Sequence, residues 1–139
     1  NSIAEGNRGA AAHDRKSFFV KCAPYLKKFS PRKNFDYCHF EGTMPRDGWR
    51  QDYGRYSAFN TSASARTHEI RIFRGTIDYK RFLASVQFAD AFAQYIPARP
   101  LAFILNHNGA EVWQDFLNFC KKEQKWGQFV SYVFRNRII

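Results

Sequence analysis

The stretch that decides the fold is THEIRIFRGT, residues 67–76, in which polar and apolar side chains alternate. Alternation with a period of two predicts a β-strand with two different faces. Glu69, Arg71 and Phe73 would share one face, and the two isoleucines between them would share the other. The second face is apolar enough to pack on helices. The stretch therefore predicts a strand that carries an acid and a guanidinium side by side.

A helix is predicted directly after this strand. Gly75 permits a tight exit, and Asp78 is a suitable N-cap because its short acceptor can bond the first free N–H groups. The helix would extend to Tyr95 and would be ended by Pro97 and Pro100. Residues at helical spacing are expected to face the core: Phe82, Leu83, Val86, Ala89 and Ala93.

The partner of the strand is predicted just upstream. Residues 55–60, RYSAFN, form a short strand, and residues 61–66 are a polar connection. Two strands this close in sequence favour an antiparallel hairpin.

Further helices are predicted on both sides of the hairpin. One begins at Asp14 and should be broken or kinked by Pro24. Residues 101–105 fit a helix or a strand, and residues 111–122 and 126–133 fit helices. Side chains expected to face the core in these helices are Phe18, Phe19, Cys22, Leu26, Val112, Phe116, Phe119 and Cys120. The predicted fold class is α+β, with an antiparallel hairpin or small sheet packed against C-terminal helices. Residues 1–12 are expected to be a flexible lead-in to a single domain, residues 13–139.

Composition restricts the classes of partner. The 139 residues include 22 Lys and Arg against 12 Asp and Glu, a formal charge of +10 that favours polyanions such as nucleic acid or an acidic protein. No run is long and apolar enough for a membrane span, so no membrane partner is expected. Three widely spaced cysteines argue against a disulfide framework and favour small buried thiols in a reducing, cytoplasmic compartment.

A basic and aromatic segment, residues 27–55, has turn signals throughout. Its cations and rings could seat nucleic acid through charge and stacking, or the segment could be a solvated loop anchored by its aromatic residues. The candidate nucleic-acid contacts are Lys27, Lys28, Arg32, Lys33, Arg46, Trp49, Arg50 and Tyr53.

The Glu69–Arg71 pair also has two interpretations. It could be an ordinary ion pair on a solvated sheet surface. It could also be a site, because a carboxylate suits Mg²⁺ and a guanidinium suits phosphate or carboxylate. Spacing alone does not decide between them.

Three short motifs resemble the C-terminal part of the putative amidoligase family of phages and bacteria. They are RYSAFN at residues 55–60, THEIRIFRGT at residues 67–76 and RFLA at residues 81–84. The family belongs to the carboxylate–amine ligases of the glutamine synthetase and glutamate–cysteine ligase type. The resemblance is good over residues 55–95 and loose beyond them.

This resemblance implies ATP-dependent formation of an amide from a carboxylate substrate, through an acyl phosphate and with Mg²⁺. Glu69 would help to hold Mg²⁺, and Arg71 and Arg74 would neutralise the phosphates during transfer. Asn60 and Arg55, on the partner strand, would orient the substrate or the nucleotide.

The chain departs from the family pattern in one respect that affects the expected catalysis. Such ligases carry further acidic ligands on earlier strands, and this chain has no second acidic strand. We therefore expect either the C-terminal portion of a longer enzyme or a reduced relative, incomplete as a catalyst by itself. The alternative is a non-catalytic basic protein of phage or mobile-element origin that binds nucleic acid or an acidic protein.

Overall fold

A computed structural model describes residues 15–30, 35, 38–40, 57–60, 68–73 and 76–139, and most of these residues are helical. The helices are α1 (residues 15–21), α2 (Ala23–Phe29), α3 (Tyr79–Ala98), α4 (Leu101–Asn106), α5 (Gly109–Lys121) and α6 (Gly127–Arg135), with a 3₁₀ turn at Gln124–Trp126. The strands are β1 (Phe59–Asn60) and β2 (Glu69–Ile70). A small antiparallel sheet packed with helices confirms the predicted α+β class.

The two strands pair as the sequence predicts, with Phe59 opposite Ile70 and Asn60 opposite Glu69. The regular ladder is shorter than predicted, although the Arg71 amide still donates to the Ala58 carbonyl at 2.9 Å. A segment that the sequence does not mark as extended also joins the sheet. There the Ala58 amide donates to the His39 carbonyl at 2.7 Å.

Helix α3 begins where its capping residue predicts. The Asp78 carboxylate accepts hydrogen bonds from the backbone amides of Lys80, at 3.0 Å, and Arg81, at 3.4 Å. These bonds satisfy two of the amides that have no partner within the first turn. At the other end the prediction is wrong for Pro97, which lies within the helix. A proline in the last turn removes one backbone hydrogen bond, and the helix continues to Ala98.

The break between α1 and α2 falls at Cys22, whose backbone leaves the helical region, and Pro24 lies in the first turn of α2. This position suits proline because the first amides of a helix need no intrahelical acceptor. The side chains expected to face the core here are all buried: Phe18, Phe19, Cys22 and Leu26. Asp14, the predicted cap of the first helix, lies outside the described residues.

The start of α5 packs closely against this break. A Cβ atom at Gly109 would lie 2.2 Å from the Lys21 carbonyl oxygen, so only glycine fits here without movement of the backbone. The Lys21 ammonium also donates to the Leu105 carbonyl at 3.3 Å. Asn108 caps α5, and its side chain and that of Glu111 form a reciprocal capping box.

The predicted inward face of α3 is wrong. Phe82 and Val86 are 55% and 49% exposed, and Ala93 is exposed. The residues that α3 buries are instead Ala84, Phe88, Ala91, Phe92, Tyr95 and Ile96. Helical spacing fits both sets, because α3 is apolar on two sides. The set with more aromatic surface is the one that packs inward.

The C-terminal helices agree better with the sequence. Val112, Phe116 and Cys120 of α5 are fully buried as predicted, and Phe119 is half-buried. The sequence of residues 101–105 fits either a helix or a strand, and the structure shows that these residues belong to helix α4. Among the described residues, no helix is both long enough and apolar enough to cross a bilayer.

Phe88 lies at the centre of the core. Its ring centroid is 5.4 Å from that of Phe29 on α2, 5.8 Å from Phe116 on α5 and 5.5 Å from Phe129 on α6. It also lies 5.8 Å from the ring of Phe73, which follows β2. Offset and edge-to-face pairs at these distances add to the free energy gained by burying the rings.

Replacement of Phe88 by alanine is expected to lower the free energy of unfolding by about 3–5 kcal/mol, because a cavity would open where rings from α2, α5 and α6 converge. Urea denaturation followed by circular dichroism measures this loss. Phe134→Ala on α6 is the matched control, since this ring is 42% exposed and its removal should cost about 0.5 kcal/mol. Equal losses in the two variants would contradict a central role for Phe88.

Candidate functional site

Glu69 and Arg71 lie on the same side of the strand segment. The Arg71 Nε atom is 3.4 Å from Glu69 Oε1, and the two side chains are 26% and 51% exposed respectively. An ion pair this open to water contributes about 0–1 kcal/mol to stability. Glu69 is therefore accessible to a ligand, and Arg71 is accessible in part.

Asn60 lies directly across the ladder from Glu69. Cross-strand partners share a face of the sheet, so Asn60 lies next to the ion pair. Asn60 is only 3% exposed, in contrast to Glu69. The hairpin thus brings together three of the residues predicted for the site, with the amide at the base and the charged groups toward solvent.

Phe73 does not share this polar face, and the prediction for it is wrong. Its ring contacts Phe29 and Phe88 in the core, with centroids 5.6 and 5.8 Å away. The reason is that the ladder ends at Ile70, so strict alternation does not continue through the next residues. Ile72 is fully buried, and its carbonyl accepts a hydrogen bond from the Ser30 hydroxyl.

His68 borders the candidate site and contacts α1. Its Nδ1 accepts a hydrogen bond from the Arg15 guanidinium at 3.1 Å, and its ring packs 5.2 Å from that of Phe59. Burial lowers the pKa of His68, and the charges of Arg15 and Lys16 lower it further. A neutral imidazole that accepts a hydrogen bond from a cation fits a packing role better than it fits proton transfer.

The donors on this face fit a metal ion only in part. Within the described residues, no three His, Cys, Asp or Glu side chains are grouped closely enough to hold one. Mg²⁺ is commonly held through one or two carboxylates, with phosphate oxygens and water completing its shell. Glu69 therefore fits Mg²⁺ delivered with a nucleotide and does not fit a metal cage made of protein ligands alone.

Many of the predicted site residues lie outside the described residues. These are Arg55 and Arg74 of the ligase set, and Arg32, Lys33, Arg46, Trp49, Arg50 and Tyr53 of the nucleic-acid set. Of the remaining two cations, Lys28 is exposed near the end of α2. The Lys27 ammonium lies 5.8 Å from the ring centroid of Phe35 and 5.6 Å from that of Phe40, so it makes internal cation–π contacts.

The three cysteines are free and buried, as the sequence predicts. Burial raises the pKa of the Cys22 thiol well above its usual range and that of Cys120 to about 12. A catalytic thiol needs a lowered pKa. Neither of these thiols is therefore poised to act as a nucleophile.

One polar cluster is not signalled by the sequence. The Tyr95 hydroxyl donates to Asp115 Oδ2 at 2.7 Å, and Arg99 Nε donates to the same oxygen at 2.7 Å. Burial by itself raises the pKa of Asp115, but the hydrogen bonds from Arg99 and Tyr95 outweigh this effect and hold the pKa below its usual value. Tyr95 lies in the last turn of α3 and Arg99 directly follows the helix, yet nothing in the sequence pairs them with a residue of α5.

A polar groove of about 480 Å³ lies beside this cluster, along α4 and α5. The polar side chains that line it bond to one another or to backbone. Gln114 donates to Asn118 at 3.1 Å, and His107 Nδ1 lies 2.7 Å from the Phe103 carbonyl oxygen. Because these groups already have hydrogen-bond partners, we interpret the groove as a structural feature and not as a binding site. The Glu69 face therefore remains the candidate site.

Comparison with known proteins identifies no relative. No protein-family model matches the chain, and no curated protein or solved structure matches it.

Asp115→Asn is expected to lower the free energy of unfolding by about 1–2 kcal/mol at pH 7, because the charged acceptor for Tyr95 and Arg99 is lost. The pKa of Asp115 is lower in the folded state, so its contribution is present above the unfolded pKa of about 3.9 and is lost as pH falls through the folded value. Urea titrations at several pH values measure the difference from wild type.

The control is Glu123→Gln, which removes an exposed carboxylate just after α5. It should leave stability nearly unchanged. A stability difference for Asp115→Asn that stayed constant from pH 7 down to pH values well below about 3.9 would contradict a role for the Asp115 charge.

Proposed function

We propose that this chain carries part of an ATP- and Mg²⁺-dependent site for amide formation, of the carboxylate–amine ligase type. The observation that carries the proposal is the solvent-accessible pair of Glu69 and Arg71, which lie 3.4 Å apart with Asn60 across the ladder. The motif resemblance over residues 55–95 supports the same assignment. Free cysteines fit the cytoplasmic location that such chemistry requires.

In this proposal each residue has a defined task. Glu69 supplies a carboxylate oxygen to the metal that accompanies the nucleotide. Arg71 offers a planar set of N–H donors to phosphate oxygens, and Asn60 supplies an amide at the base of the face. Mg²⁺ offsets the charge that develops on the phosphates during transfer.

The proposed site is partial. A single carboxylate does not hold the metal ions that the ligase reaction needs, and the described residues contain no group of three His, Cys, Asp or Glu side chains that could hold one. We therefore propose nucleotide binding by this chain, with complete turnover dependent on further residues. Nucleotide binding, and not catalysis, is therefore the property to measure.

Isothermal titration calorimetry of Mg·ATP tests the site. Wild-type protein should bind, and Glu69→Gln and Arg71→Ala should each weaken binding by about 10-fold or more, because each removes an interaction between charged groups. Removal of Mg²⁺ with a chelator should weaken wild-type binding and should have little further effect on Glu69→Gln.

Two variants that each remove one charge elsewhere in the chain are the controls, Glu123→Gln after α5 and Lys16→Gln on α1. They should bind as the wild type does. Absence of Mg·ATP binding by wild-type protein, or equal binding by the Glu69 and Arg71 variants, would overturn the proposal.

A basic surface at the ends of α5 and α6 favours nucleic-acid binding as a second function. It comprises Lys121, Lys122, Phe134, Arg135 and Arg137. Phe134 is 42% exposed, and the Lys121 ammonium lies 4.6 Å from its ring centroid. Cations beside an open aromatic ring provide phosphate contacts and a stacking surface for a base. The net charge of +10 supports the same function.

Fluorescence anisotropy with a labelled single-stranded oligonucleotide, repeated over a range of salt concentrations, tests this second function. Affinity should fall steeply as salt rises, and Lys122→Gln should reduce the slope of log K against log salt by about 1. Lys16→Gln, which removes a cation on α1, should leave the slope unchanged. Binding that does not vary with salt would contradict the proposal.

A further inference from the structure

Helix α3 presents an apolar stripe to solvent on the side opposite the core. Tyr79, Phe82 and Val86 are 71%, 55% and 49% exposed, and Ala89 and Ala93 extend the stripe toward the helix end. The spacing of these residues alternates between three and four, which is the repeat that places side chains along the seam between two packed helices. A monomer gains nothing from such a stripe in water.

The stripe forms one wall of a groove of about 440 Å³. Phe82, Ser85, Val86 and Ala89 line it from α3, and Ile70, Phe73 and Thr76 line it from the strand and the turn that follows. The lining is mostly apolar, as in grooves that receive an amphipathic helix. An occupant would therefore contact α3 and the β2 segment together.

The charges beside the stripe identify the kind of occupant. Lys80 and Arg81 lie near the start of α3, while Asp78 and Asp90 contribute two negative charges. Over residues 78–93, which include the N-cap of α3 and the stripe, the charges thus balance locally, although the whole chain has a charge of +10. A surface made for a polyanion would be expected to concentrate cations, and this one does not. Local balance suits a partner with the same charge pattern.

We propose that the occupant is α3 of a second copy of this chain, packed antiparallel across a two-fold axis. Side-chain size along the stripe supports this orientation, because the large residues lie at one end and the alanines at the other. Antiparallel pairing sets Phe82 of one copy against Ala93 of the other, and Val86 against Ala89. Each layer then combines a large side chain with a small one, which lets the helices approach closely.

Electrostatics favours the same arrangement. Antiparallel helices place the positive end of each dipole beside the negative end of the other. A parallel pair would instead set Lys80 beside Lys80 and Phe82 beside Phe82, leaving the alanine layers underfilled. The dimer does not depend on the proposed nucleotide site and can be tested apart from it.

Sedimentation equilibrium tests the dimer. Wild-type protein should sediment at twice the 16.3 kDa chain mass as concentration rises. Val86→Glu should weaken the dimer by about 100-fold or more, because a carboxylate would be buried in the seam without a partner. Phe134→Glu, which alters an exposed ring of α6 away from the stripe, is the matched control and should dimerise as the wild type does.

Disulfide trapping tests the orientation, and the buried native cysteines make it feasible. A mixture of Phe82→Cys and Ala93→Cys proteins should form a covalent heterodimer under mild oxidation, whereas Phe82→Cys alone should not form a homodimer. Wild-type protein that stays monomeric up to about 1 mM, the weak end of the affinity scale, would overturn the proposal. Efficient trapping of Phe82→Cys with itself would overturn the antiparallel arrangement.

Discussion

The aromatic contacts of Phe88 are the interaction on which the rest of the structure depends. Its ring meets rings from α2, α5, α6 and the segment after β2, so one side chain fixes the relative positions of elements far apart in sequence. The neighbouring Phe92 stacks on it at 5.9 Å and extends the contacts to Phe18 and Phe19 of α1. Rings pack at defined angles, so this core specifies orientation as well as burying surface.

The same contacts position the candidate site. Phe73 is held by Phe29 and Phe88, and Ile72 is fully buried beside it, so the chain after β2 is fixed from within the core. Glu69 and Arg71 can therefore be displayed side by side on a very short strand without a wide sheet behind them. Functional groups on a short strand need such support, because two ladder pairs alone are marginally stable in water.

Local signals in the sequence predict much of this structure. Contacts between elements that are distant in sequence are the part that they do not predict. Asp78 predicts the start of α3, Pro24 predicts the break before α2, and alternation predicts the pairing of β2, since each depends on neighbours in sequence. The inward face of α3 is not predictable, because apolar residues line both sides and only the other helices decide between them. The pairing of Glu69 and Arg71 follows from a spacing of two, whereas the bond between Tyr95 and Asp115 joins separate helices and has no local signature.

The close approach of Gly109 to Lys21 has a consequence for how the chain acquires its structure during synthesis. The two residues are 88 positions apart, yet the backbone of one leaves no room for a side chain on the other. Helices α3, α5 and α6 contact one another, and each pair is closer in sequence than Lys21 is to Gly109. Contacts between residues that are closer in sequence generally form faster. Helix α1 is made before α5, so its contact with Gly109 forms only after the start of α5 has been made. Its phenylalanines can pack earlier, because Phe18 and Phe19 both contact Phe92 of α3. The contact with Gly109 therefore completes the docking of α1 and does not begin it.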